Sequence, residues 1–97
     1  MASEMKSQEI KVKISDEVLK GVYSNNVMIS HSREEFLVDF MNIFPPEGIV
    51  NARVIMSPGH IKRLIKALLD NVNKYEAKFG TIPEVPEPEP RKVGFVH

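Results

Sequence analysis

The sequence predicts an α+β fold: a four-stranded antiparallel β-meander followed by one long C-terminal α-helix and an extended Pro-rich tail. Three observations predict it. Apolar residues alternate with period two in several stretches between residues 9 and 56, a Pro-Pro-Glu-Gly run separates two of them, and apolar residues then recur at spacings of three and four up to Gly80.

In the first stretch, residues 9–14, Ile10, Val12 and Ile14 alternate with Lys11 and Lys13, as in a half-buried strand. A connector ending at Gly21 leads to a second strand over 22–30, with Val27 and Ile29 on one face. The Ser24-Asn25-Asn26 run there predicts a bulge or an irregular start. The third strand, residues 35–44, sets Phe36, Val38 and Phe40 on one side and Leu37, Met41 and Ile43 on the other. A strand apolar on both sides has both sides covered in the folded assembly. Pro45-Pro46-Glu47-Gly48 reads as a tight turn, and a fourth strand follows over 49–56.

The helix is expected from Pro58 to about Phe79, where Ile61, Leu64, Ile65, Leu68, Val72, Tyr75 and Phe79 form one stripe. Ser57 is placed to cap it, Pro58 suits its first position, and Gly80 suits the left-handed residue past its end. Beyond Ile82 the run Pro83-Glu84-Val85-Pro86-Glu87-Pro88-Glu89-Pro90 excludes a helix. The expected organisation is therefore a disordered N-terminus at 1–7, one α+β domain over 8–82, and a Pro/Glu-rich tail over 83–97.

Charge names no partner, because 13 Lys and Arg balance 13 Asp and Glu. Neither a nucleic-acid nor a membrane attraction is indicated. The chain has no cysteine, which suits the cytoplasm and leaves no disulfide or thiolate metal site. No stretch approaches the roughly 20 apolar residues needed to cross a bilayer. In a domain this small only about 60% of the unfolded surface is buried, so burial between copies would add needed stability.

Sites with chemistry are few. His31, His60 and His97 lack metal-ligand spacing, since Leu64 stands four residues after His60. No metal or cofactor is expected. Ser57-Pro58-Gly59-His60 is not the strand-turn-helix elbow of a serine nucleophile. Asp39, between Val38 and Phe40, is the carboxylate expected to be partly buried, and Arg53 on the next strand is its expected structural partner. At the helix start, Arg53, Ser57, Gly59, His60, Lys62 and Arg63 form a candidate anion site, because basic residues in a first turn oppose the helix dipole unless an anion offsets them. A solvated helix face explains the same lysines and arginines. With no catalytic constellation, a non-enzymatic module is expected. It is expected to self-associate into a dimer or larger homo-oligomer through Leu37, Met41 and Ile43 of the two-sided strand and Val72, Tyr75 and Phe79 of the helix.

One combination of stretches goes further. Tyr23-Ser24-Asn25, Ser30-His31-Ser32 through Glu35-Phe36 to Asp39-Phe40, and Ala52-Arg53-Val54 occur with Ser57-Pro58, His60, Lys62-Arg63, Leu64, Tyr75-Glu76 and Phe79-Gly80. Together they resemble the bacterial and archaeal domain-of-unknown-function family numbered 3467, over about residues 22–82. The resemblance implies no catalytic residue, and the acidic Pro-rich tail departs from the pattern. In architecture a four-stranded sheet followed by a long helix is similar to the export chaperone SecB, whose sheets and helices join in dimers and tetramers. That analogy implies a binder of extended peptide as an alternative to an adaptor or assembly module with a protein partner, and an anion or nucleic-acid binder is a third.

Overall fold

The centre of the sheet is its most apolar strand, and the rest of the architecture follows from what flanks it. A computed structural model describes residues 8–86 and 92–97. In chain order the elements are a short helix α1 (Asp16–Leu19), strands β1 (Asn26–His31), β2 (Phe36–Phe44) and β3 (Glu47–Met56), and the long helix α2 (Pro58–Phe79). The chain divides into two compact units, Met1–Pro58 and Gly59–His97.

In the first unit the three strands form one antiparallel sheet in the order β1-β2-β3. Both sides of β2 are apolar, and the register shows how its neighbours continue each side. Leu37, Asp39 and Met41 share a face with Ser30, Met28 and Asn26 of β1 and with Ile55, Arg53 and Val50 of β3. Phe36, Val38 and Phe40 share the opposite face with His31, Ile29 and Val27 and with Met56, Val54 and Ala52. Val38 and Met41 are buried, one on each face, as befits a strand paired along both edges. The His31 and Phe36 rings stack across the strands at 5.4 Å between centroids.

The sheet is thus antiparallel and precedes a C-terminal helix, as expected, but it has three strands among the described residues where four were expected. Residues 9–14 belong to no strand, and the chain turns instead into α1, capped by Ser15, whose side chain accepts a bond from the Val18 amide. Alternation makes a segment suited to a sheet edge; it cannot supply the edge. The expected second strand also begins late, at Asn26, because the polar run before it does other work. Ser24 Oγ donates to the Asn26 and Met41 carbonyls, and the Asn25 amide proton goes to Met41 O at 3.0 Å. The Asn25 side chain imitates a peptide group: its Oδ1 accepts from the Ile43 amide at 2.8 Å and its Nδ2 donates to the Ile43 carbonyl at 3.0 Å.

The turn into β3 is shorter than the expected four residues. Pro45 and Pro46, joined by a cis peptide bond, form it alone, and Glu47 and Gly48 already pair with Phe44 and Ile43. Gly48 is needed there for close approach and not for its dihedral freedom. A Cβ on it would lie 2.8 Å from Ile43 Cγ1 and 3.2 Å from the Asn42 carbonyl oxygen. Gly48→Ala should therefore destabilise the hairpin by about 1–3 kcal/mol, the usual range for overpacking, as read by urea denaturation. Further along, pairing shifts between Phe40 and Met41, leaving Asn51 as an extra residue on β3. Asn51 Nδ2 donates to the Tyr23 carbonyl at 2.6 Å.

In the second unit α2 spans the residues expected of it. Its C-terminal end is closed by Gly80 at φ +96°, whose amide donates to Glu76 O at 2.9 Å. Glu76 also receives the Ile82 amide through its side chain. The Tyr75 and Phe79 rings meet one turn apart in a tilted contact, 5.0 Å between centroids, and Lys78 Nζ lies 5.3 Å from the Phe79 ring centroid. The expected disorder of 1–7 falls outside the described residues, and so does part of the expected tail, residues 87–91.

Candidate functional site

Among the described residues, the one charged pair set into the sheet is Asp39 with Arg53, directly opposite each other on β2 and β3. Arg53 grips the carboxylate with both arms, Nε to Oδ1 at 2.7 Å and Nη2 to Oδ2 at 3.0 Å. Such a fork-to-carboxylate geometry is the strong form of an ion pair. The two partners differ in solvation: the Asp39 side chain is 5% exposed and that of Arg53 51%. The bidentate bond and the positive charge of Arg53 hold the Asp39 carboxyl below its ordinary range, against the opposing effect of burial. The same contact raises the Arg53 pKa. A carboxylate held ionised by a bidentate arginine is a poor proton acceptor near neutral pH. The pair is the one the sequence suggested.

Arg53 is thereby the member of the candidate anion set whose chemistry is most altered, since two of its donors already serve Asp39. The other members sit around the start of α2. Ser57, Gly59, His60, Lys62 and Arg63 are all exposed, and no acidic residue lies in the first turn of α2. Arg63 Nη2 and His60 Nδ1 approach to 3.4 Å. Among the described residues no group of three or more His, Asp or Glu side chains is placed to hold a metal ion, and no helix is long and apolar enough to cross a membrane.

The expected interface residues have unequal environments. Met41 is buried, Leu37 and Ile43 are half-buried, and Val72, Tyr75 and Phe79 are exposed. Sequence reasoning missed further exposed apolar residues: Val27, Ile29, Ile49 and Val54 on one face of the sheet, and Ile55 on the other. Their alternation is visible in the sequence; their exposure is not, because it depends on what packs against each face.

The whole of this sheet and all of α2 fall within residues 1–84, over which the sequence matches the family described as "Protein of unknown function (DUF3467)". The chain belongs to this family. The match reaches beyond the stretch of residues that suggested it, taking in the alternating segment 9–14 and α1. No curated protein matches the chain, and no solved structure does. The DUF3467 description assigns no activity, so the chemistry of the site rests on its own residues. The likeness to SecB rests on element order alone, and three strands in place of four weaken it.

Proposed function

We propose that this DUF3467 chain is a non-enzymatic module that assembles with copies of itself in the cytoplasm. The observation that carries the reading is a sheet apolar on both faces. Val27, Ile29, Ile49 and Val54 are exposed on one, and Ile55 is exposed beside Leu37 on the other. Exposed apolar side chains on both faces of one sheet call for cover by another chain. The helix has apolar surface of its own to cover, with Ile65, Leu68, Leu69, Val72, Tyr75 and Phe79 exposed.

The chemistry of the polar residues fits the same reading. Asp39 is committed to Arg53 in an ion pair that leaves its carboxylate a weak base near neutral pH. The lack of cysteine in the sequence suits a reducing compartment. The fourth strand of the expected meander, residues 9–14, belongs to the assembled form.

Sedimentation velocity over a micromolar concentration series should show a dimer or larger species. The informative variant is Ile29→Lys, which places a charge in the exposed row without touching Asp39 or Arg53. It should shift the equilibrium toward monomer by at least roughly tenfold in dissociation constant, the effect of burying an unpaired charge at an interface. A well-folded monomer at all concentrations of the wild type would overturn the proposal.

A further inference from the structure

We infer that residues 9–14 are an exchanged strand, which completes the sheet by pairing with the open edge of β1 in a second copy. The inference rests on the self-association proposed above and names the contact that makes it. Ile10, Val12 and Ile14 form a regular apolar row, yet they are 75%, 84% and 58% exposed. The segment lies outside every helix and strand, and among the described residues none of the backbone bonds found in loops, turns and caps involves it. A six-residue alternating segment in water has a hydrophobic side and a full set of peptide groups to satisfy.

Two edges are open to it, because among the described residues β1 and β3 each pair only with β2. Charge distinguishes them. If Ile10, Val12 and Ile14 extend the apolar row of Val27 and Ile29, Lys11 and Lys13 lie on the opposite face. Beside β1 they would meet Met28 and Ser30; beside β3 they would meet Arg53. Like charges on adjacent strands are destabilising. Length agrees as well, since β1 has six residues, Asn26–His31.

The course of the chain separates a second copy from the chain's own edge. Tyr23 accepts its bond from Asn51 of β3, while Ser24 and Asn25 are held by β2. The chain thus enters β1 from the side of β3, two strands from the β1 edge. To reach its own β1 edge the segment would have to recross the sheet. The β1 edge of a second copy requires no recrossing, and a twofold axis makes the exchange reciprocal.

The test uses the full chain, which has no cysteine, so that Lys11→Cys accepts a nitroxide at one position. Spin-labelled protein is mixed with nitrogen-15-enriched wild type that carries no label, and broadening of the enriched amides is read. Broadening of Asn26–His31 is the expected result. Broadening confined to Glu47–Met56, or none in a sample that sediments as an oligomer, overturns the exchange while leaving self-association intact; a sample that stays monomeric overturns both. As a second readout, Lys11→Pro and Val12→Pro are compared. Adjacent residues direct their amides to opposite sides, so one of the two removes a pairing donor and should weaken the dimer by about tenfold or more. Equal, wild-type association in both would also overturn the exchange.

Discussion

Truncation of Met41 to alanine is expected to destabilise the protein by about 2–5 kcal/mol, the range for deleting a buried methionine side chain. Met41 is 4% exposed on the central strand, between Asn26 of β1 and Val50 of β3. The cost has two parts: the lost transfer of apolar surface from water, and the cavity left in a strand hydrogen-bonded on both edges and unable to collapse freely. For a domain of this size each kcal/mol moves the melting temperature by roughly 4–8 °C, so the midpoint should fall on the order of 10 °C or more. Val85→Ala supplies the control. Val85 is 82% exposed, and its truncation should stay within about 0.5 kcal/mol. Calorimetry on both variants checks the contrast, and similar midpoints would remove Met41 from the core.

The second large effect concerns the charged pair, and it is asymmetric. Arg53→Met should destabilise far more than Asp39→Asn, because Asp39 is nearly enclosed and would keep an unpaired charge, whereas Arg53 is half in water and can be hydrated when its partner is gone. The pH dependence follows from the same contact. In the wild type the folded pKa of Asp39 lies below its ordinary 3.8. Its contribution to stability is therefore complete above that value and is lost as the pH falls through the lowered folded pKa. In Arg53→Met only burial remains to act on Asp39, and burial raises the folded pKa above the unfolded one. That variant should regain stability as acid protonates Asp39. The difference in unfolding free energy between wild type and Arg53→Met should thus shrink as the pH falls into the acid range in urea titrations, and a difference constant with pH would contradict the pair's role. The double variant Asp39→Leu with Arg53→Met should recover much of the loss, since replacing both partners strands neither.

What could be read from residue order alone was what short-range physics decides. The limits of α2 were legible because Pro58 and Gly80 punctuate a stripe whose period is local. β2 and β3 were legible because a short proline turn leaves adjacent alternating segments little choice but to pair. The Asp39–Arg53 contact followed, since a polar residue in an apolar strand needs its answer on the neighbouring one. What escaped was whatever depends on which edge a segment finds. Residues 9–14 carry the signature of a strand and form none in the single chain. The requirement for glycine at 48 arises from the position of Ile43 Cγ1, which no pattern of residue types encodes. The role of Asn25 was visible only as an irregularity at the start of β1.

That role has a consequence for alignment. A strand has no intrinsic origin: sliding β1 by a single residue along β2 preserves its backbone bonds yet turns Val27 and Ile29 to the side occupied by Asp39. The carboxamide of Asn25 clasps both polar groups of Ile43 and no others on that strand. It acts as an index mark, so that a slipped sheet forfeits two bonds at once and the chain keeps a single answer to which way its greasy side looks.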